Sequence, residues 1–142
     1  MHLVTVSAHY PAPSDAVWRV VGDFGGLKAW SRAVQECILE GTGVGSHRVI
    51  VTAAGRIRER LDEWDAVAQR MSYTPVSGSS LPVRALRATI ALTALQPQGT
   101  RVDWTIEGEP TGDPAEVAAL LRTRYAARLE ELRAALATTK AA

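Results

Sequence analysis

One stretch of alternating residues, from Gly45 to Asp65, constrains the fold more than any other part of the chain. In its second half a charged residue occupies every other position, and Ile57, Glu59 and Leu61 lie between them. Alternation with a period of two is typical of a β-strand with one solvated and one buried face. Glu59 is then a carboxylate on the apolar face, which makes it the first candidate for a functional residue.

The first half of the stretch predicts a preceding strand, with Val49, Val51 and His47 on its inward face. Ala53-Ala54-Gly55 suits a three-residue hairpin loop, because glycine at the third position accepts left-handed backbone. This loop would place Val49 opposite Glu59, with the Cβ atoms of His47 and Glu59 roughly 7–8 Å apart on the diagonal. The sequence therefore predicts that His47 and Glu59 share the inward face of a hairpin.

Length and charge favour one domain that spans residues 1–142 and binds neither nucleic acid nor an anionic surface. The chain has 142 residues and a formal net charge of +1, with acidic and basic residues mixed along it. A single cysteine, Cys37, excludes an internal disulfide and fits a reducing compartment, so we expect a cytoplasmic protein. We see no signal peptide and no apolar stretch long enough to span a membrane. The three histidines have no metal-ligand spacing, and we expect neither a metal nor a cofactor.

The order of predicted elements indicates an α+β fold. His2 to Tyr10 reads as a strand, two short helices follow, and about six more strands precede a long helix from Pro114 to about Ala137. Strands joined by short turns pair antiparallel. The apolar face of such a sheet needs cover, and only the long helix is large enough to supply it. A curved antiparallel sheet of about seven strands around one helix can leave a pocket for a small molecule.

Five segments of the chain, in this order, resemble the START-like or helix-grip superfamily: PSDAVWRVVGDFGGLKAW, VGSHRVIV, RIRERLDEWD, RMSYTPVSGSSLPV and TRVDWTIEGEP. The resemblance covers nearly the whole chain and is strongest to the bacterial polyketide cyclase/dehydratase group. It implies the helix-grip fold, with a cavity between the sheet and the C-terminal helix. One such fold hosts many functions, so the resemblance is less specific for chemistry.

The resemblance also implies roles for individual residues. In ligand-binding relatives the glutamate of the ERLD-like strand, here Glu59, projects into the cavity, and an aromatic residue from the next strand, here Tyr73, lines it. The segment Ser80-Leu81-Pro82 matches a loop that gates the entrance. Two positions depart from the pattern, since Leu86 stands where relatives commonly have tyrosine and Ser31 replaces a lysine of the hormone receptors. These departures argue against a carboxylate-binding hormone receptor.

The candidate site therefore has a catalytic part and a lining part. Burial of an unpaired carboxylate would raise the pKa of Glu59 and suit a general acid or base, with His47 as its partner. The alternative for Glu59 is a structural ion pair with Arg84 or Arg124. The alternative for the aromatic residues is ordinary core packing. The candidate ligand-binding residues are Trp30, Val49, Val51, Tyr73, Leu81, Pro82, Arg84, Leu86, Trp104, Leu121 and Tyr125.

The function expected first is that of a cyclase or dehydratase acting on a polyketide-like or similarly hydrophobic carbonyl compound. The pocket would fold the substrate and exclude water, and Glu59 would move a proton next to a carbonyl. The alternative is a non-catalytic binding or carrier protein for a hydrophobic small molecule. In either case the partner is a hydrophobic small molecule, and the protein is expected to be a monomer or homodimer.

Overall fold

The structure, a computed structural model, describes residues 1–141 and the side chains of residues 1–138. One α-helix and a 3₁₀ helix follow the first strand, and a long α-helix follows the last. The long helix predicted to end near Ala137 continues to Ala141, and Ala142 lies outside the described residues. The elements are β1 (His2–Tyr10), α1 (Ser14–Val21), the 3₁₀ helix (Phe24–Ala29), β2 (Glu36–Glu40), β3 (His47–Thr52), β4 (Gly55–Asp65), β5 (Arg70–Ser77), β6 (Val83–Leu95), β7 (Gly99–Pro110) and α2 (Pro114–Ala141).

All seven strands form one antiparallel sheet in the order β1-β7-β6-β5-β4-β3-β2. Each strand from β2 to β7 pairs with its neighbour in sequence, and β1 closes the far side against β7. This arrangement confirms the expected α+β helix-grip fold. The strand β2 is left at one edge of the sheet, beside the 3₁₀ helix.

The helix α2 covers the apolar face of the sheet. Asp113 caps its first turn, because the Glu116 backbone N–H donates to Asp113 Oδ2 at 3.0 Å. One stripe of the helix is apolar and turns toward the strands, as the sequence predicts. The buried residues of this stripe are Val117, Leu121, Tyr125, Leu129 and Leu132.

The hairpin between β3 and β4 differs from the prediction by one residue. Thr52 pairs with Gly55, so the loop has two residues, Ala53 and Ala54, and the three-residue loop is wrong. Arg48, not Val49, therefore lies opposite Glu59. Because side chains alternate between faces, this shift turns every side chain of β3 to the side of the sheet opposite to the predicted one.

The physical reason is that alternation in β3 does not select a face. The segment HRVIVT has apolar residues at both parities, with valines at one and an isoleucine at the other. The side chain of Glu59 faces inward as predicted, and a buried carboxylate requires a partner. Arg48 supplies that partner only in the observed register.

Candidate functional site

A partly enclosed cavity of about 110 Å³ lies between α2 and the part of the sheet formed by β3, β4, β5 and β7. The 3₁₀ helix and the loop before β6 close its sides. Its wall combines apolar, aromatic and charged side chains. The lining residues are Leu27, Ser31, Val34, Arg48, Ile50, Thr52, Ile57, Glu59, Tyr73, Pro75, Ser79, Ser80, Leu81, Trp104, Arg124, Tyr125 and Arg128.

A buried ion pair between Arg48 and Glu59 forms one wall of the cavity. Arg48 Nε and Nη2 lie 2.8 and 2.7 Å from Glu59 Oε1, and Arg48 Nη1 donates to the Phe24 carbonyl at 3.0 Å. Arg48 is 4% exposed and Glu59 is 9% exposed. Glu59 is thus paired, and the pairing partner is neither Arg84 nor Arg124.

Two aromatic rings hold the Arg48 guanidinium in place. Its Cζ atom lies 4.2 Å from the ring centroid of Phe24 and 4.7 Å from that of Tyr73. Burial alone would lower the pKa of Arg48, but the Glu59 carboxylate outweighs this and holds the pKa above its ordinary value. The cation is therefore permanent, and it ties the 3₁₀ helix to β3 and β4.

Tyr73, Tyr125 and Trp104 bring neutral hydrogen-bond donors to the same cavity. Burial raises the pKa of Tyr73 well above its ordinary value, and Tyr125 and Glu59 add to the rise. Burial likewise raises the pKa of Tyr125, with Glu59 as the next cause. Both phenols consequently stay protonated. The Trp104 ring meets Tyr125 edge-on, with ring centroids 4.8 Å apart.

The indole nitrogen of Trp104 is the one buried side-chain polar atom without a hydrogen-bond partner among the described residues. Trp104 is only 4% exposed and lines the cavity. Its N–H is close enough to the Tyr73 hydroxyl to lower the pKa of Tyr73 slightly, but not in hydrogen-bond geometry. A buried donor without an acceptor costs roughly 1–3 kcal/mol, so the cavity wall carries a donor that remains available at this point.

Five of the predicted site residues line this cavity: Glu59, Tyr73, Leu81, Trp104 and Tyr125. They come from β4, β5, the loop before β6, β7 and α2. The inward parity of β4 and the long stripe of α2 were sufficient to place Glu59 and Tyr125. Whether these residues bind a ligand is a prediction that geometry alone does not test.

The three predicted residues of β3 do not line the cavity. His47 pairs with Arg60, and Val49 and Val51 share its side of the sheet, opposite to the face that presents Arg48. The predicted contact between His47 and Glu59 is therefore wrong. The cause is the one-residue register shift of the hairpin.

The other predicted lining residues lie near the cavity without facing it. Trp30 is buried behind Trp104, with ring centroids 6.2 Å apart, and Leu86 and Leu121 belong to the packed core. Arg84 is exposed and lies opposite Glu109. Pro82 anchors the loop through its carbonyl, which accepts from the Thr111 N–H at 2.9 Å.

Sequence reasoning missed Arg48, which is the central charge of the site. One signal was present, since a carboxylate on the buried face of β4 requires a cation on the same face of a neighbouring strand. Arg48 stands one residue from His47 and would have satisfied this requirement. The cavity residues Arg124 and Arg128 lack such a signal because arginines on a long helix usually face solvent.

A second, larger depression of about 750 Å³ is an open groove beside α1. Trp18 and Trp64 form one of its walls, with ring centroids 5.4 Å apart. The Trp64 indole N–H donates to the Gly22 carbonyl at 2.8 Å, so its polar atom already has a partner. The partly enclosed cavity, which has a buried donor without a partner, is the better candidate site.

The comparison with protein families accounts for this combination of fold and cavity. The family model described as "Polyketide cyclase / dehydrase and lipid transport" matches residues 1–137. The chain belongs to this family. Membership supports a hydrophobic ligand-binding role, and the resemblance seen in the sequence is confirmed.

Solved structures of related fold come from several bacteria. The match to a protein from Bacillus thuringiensis has a TM-score of 0.85 at 22% identity and covers 96% of this chain and 98% of that chain. The protein XoxI from Bacillus cereus gives a TM-score of 0.84 at 21% identity, with 96% of each chain covered. A Thermobifida fusca protein is 28% identical, with a TM-score of 0.77 and coverage of 92% and 89%. These structures share the fold of this chain.

A comparison with curated proteins gives no match. Within residues 1–141 no helix is both long and apolar enough to cross a membrane, and no cluster of three His, Cys, Asp or Glu residues could hold a metal ion.

Proposed function

We propose that this family member binds a small apolar molecule that carries a carbonyl or hydroxyl oxygen, inside the cavity between α2 and the sheet. The observation that supports this most directly is the buried Trp104 indole N–H without an acceptor. Tyr73 and Tyr125 place two protonated phenols beside it. A ligand oxygen at this point accepts from the indole and removes the cost of the unpaired donor.

The rest of the cavity suits an apolar body. Ile50, Ile57, Leu27, Val34 and Leu81 provide aliphatic surface on several sides. The cavity volume of about 110 Å³ is below the roughly 300–1,000 Å³ usual for ligand pockets. A cavity of about 150 Å³ is enough to hold benzene. This cavity is smaller but partly open, so it suits a short branched chain, or a single ring that extends toward its open side.

A direct test measures the affinity of ring-sized ketones, with acetophenone as the first probe, by isothermal titration calorimetry. Tyr73→Phe should weaken binding by about tenfold, since a hydrogen bond to a ligand oxygen is lost. Tyr10→Phe is the matched control, because the Tyr10 hydroxyl donates to the Leu129 carbonyl at 2.7 Å and lies away from the cavity lining. Equal losses in both variants, or none in either, would contradict the proposal.

Catalysis as a cyclase or dehydratase is the second candidate, and Glu59 favours it. Glu59 lines the cavity, and the donors of Tyr73 and Trp104 share it. Glu59 would remove a proton from carbon next to a carbonyl. The electron pair would move to the carbonyl oxygen, where the neutral donors would stabilise it. Glu59 would then return the proton, either to a hydroxyl group that leaves as water while the carbon–carbon double bond forms, or to the oxygen of a second carbonyl that the enolate carbon attacks.

The variant Glu59→Gln separates catalysis from binding. If Glu59 transfers a proton, the single-turnover rate at saturating ligand should fall roughly 10²–10⁴-fold, while the dissociation constant changes little. If Glu59 only holds Arg48 and orients the ligand, the saturated rate should be unchanged and binding or stability should weaken. Urea unfolding of the same variant checks that loss of the Arg48 partner has not unfolded the protein.

A further inference from the structure

A pair of arginines stands where α2 borders the cavity, and the proposed function does not use it. Arg124 and Arg128 are four residues apart, so they lie on one face of the helix, and both line the cavity. Arg128 donates to Ser31 Oγ at 2.5 Å, which fixes its guanidinium at the rim. Arg124 is exposed and has no carboxylate within ion-pair distance among the described side chains.

The positive charges of Arg124 and Arg128 affect ionisation inside the cavity, as the Tyr125 hydroxyl shows. Burial and Glu59 raise the pKa of the Tyr125 hydroxyl, while Arg128 and Arg124 each lower it. The two cations are therefore near enough to influence an oxygen atom inside the cavity. Each cation would likewise favour the negatively charged form of a ligand oxygen placed beside the Tyr125 hydroxyl.

The charges that line the cavity do not balance. Three arginines and one glutamate give a net charge of +2, although the whole chain carries only +1. Arg48 and Glu59 neutralise each other in the interior. At the rim Arg128 shares an ion pair with Glu131, so the excess belongs mainly to Arg124, with Arg128 one turn away. Of the acidic residues nearby, Glu131 accepts from the Arg32 backbone N–H at 2.8 Å and from Arg128 at 3.4 Å, and Glu130 pairs with Arg133.

We infer that the ligand is an apolar carboxylic acid, with its ring or short chain in the cavity and its carboxylate at the rim between Arg124 and Arg128. This inference rests on the proposed function and specifies the class of ligand. A guanidinium matches a carboxylate with two parallel hydrogen bonds. An anion at the rim also offsets the repulsion between two like charges at neighbouring positions of one helix.

The test compares acids with their uncharged amides. The probes are phenylacetate and isovalerate with the corresponding amides, which carry a single ring and a short branched chain, and affinity is measured by isothermal titration calorimetry. Each acid should bind about tenfold more tightly than its amide, because it gains a charge-assisted hydrogen bond that is partly exposed. Added NaCl should weaken the binding of the acids and leave that of the amides unchanged.

Three variants locate the carboxylate. Arg124→Gln and Arg128→Gln should each reduce the preference for acid over amide. Arg122→Gln removes the same charge from an exposed position of α2 outside the cavity lining, and should leave the preference intact. The inference is overturned if acids and amides bind equally, if no acid binds, or if the preference survives in both cavity variants.

The two proposals fail in different ways. If the amides bind with a dependence on Tyr73 and the acids have no advantage, the ligand class is wrong and the proposed function stands. If neither acids, amides nor ketones bind, both are wrong. If all three arginine variants lose the preference equally, the effect comes from the overall charge of the helix, and the site at the rim is excluded.

Discussion

The two ends of the space between α2 and the sheet use similar residues for different purposes. At the end formed by β1 and β7, the Tyr10 hydroxyl donates to the Leu129 carbonyl, and the Arg133 Cζ atom lies 4.8 Å from the Tyr10 ring centroid. At the end formed by β3, β4 and β5, Arg48 stacks on the Tyr73 ring at 4.7 Å. Both ends thus have a buried tyrosine with an arginine over its ring.

The two ends differ in how completely their polar atoms are paired. The tyrosine at the β1 end has its acceptor inside the protein, and large apolar side chains such as Leu129 and Leu132 close the space around it. At the β3–β5 end a cavity remains, and the Trp104 N–H has no acceptor within the described residues. Complete pairing indicates a structural role, whereas an unpaired donor beside a cavity indicates a binding site.

The largest expected effect of a single substitution is at the Arg48–Glu59 pair. Arg48→Met leaves a buried carboxylate without its partner, which should lower the free energy of unfolding by about 3–5 kcal/mol. Urea unfolding measures this loss. The matched control is Arg58→Met on the neighbouring strand, where the partner Glu40 is exposed, and this change should cost less than about 1 kcal/mol.

The double variant Arg48→Met/Glu59→Leu sharpens this prediction. Replacement of both charges by apolar residues should restore most of the stability, because no uncompensated charge remains. Ligand affinity should not recover, since the polar wall of the cavity is lost. A double variant that is as unstable as Arg48→Met would show that packing around Phe24 and Tyr73, not charge pairing, determines stability here.

Leu132→Ala should affect stability without affecting binding. Leu132 is fully buried and outside the cavity lining. Its truncation should lower the free energy of unfolding by about 2–5 kcal/mol, while the dissociation constant for acetophenone stays within twofold. A large loss of affinity in a variant that remains folded would show that the two ends of the molecule are coupled.

The tyrosines should resist ionisation as long as the protein is folded. The chain has three, Tyr10, Tyr73 and Tyr125, and burial raises the pKa of each above its ordinary value of 10. The folded state therefore holds protons that the unfolded state releases above about pH 10. Stability should be unaffected by these groups below that pH and should fall as the pH rises further.

Two measurements check the behaviour of the tyrosines. Phenolate absorbance at 295 nm should appear only when the circular dichroism signal of the folded protein is lost. The slope of unfolding free energy against pH above 10 should become shallower in Tyr10→Phe. Phenolate that forms near pH 10 in the folded protein would contradict the burial of these side chains.

Most of the fold followed from the sequence, since alternation and turn residues predict each strand, and Asp113-Pro114 predicts the start of α2. The residues Glu59 and Tyr73 followed from parity and from the family resemblance. The face of β3 that turns inward did not follow from the sequence, because both faces of this strand carry apolar residues. A one-residue difference in loop length then decides which face turns inward. Arg48 was missed for this reason, and His47 was selected in its place.

Proton NMR of the four tryptophan indoles tests the central claim most directly. The account predicts that acetophenone shifts the Trp104 indole N–H downfield, because this donor gains its first hydrogen-bond acceptor. The Trp64 indole N–H, already bonded to Gly22, should not move. Trp104→Phe assigns the resonance. A ligand that binds and shifts Trp64 or Trp18 while Trp104 stays unchanged would place the binding site in the groove beside α1 and contradict the account.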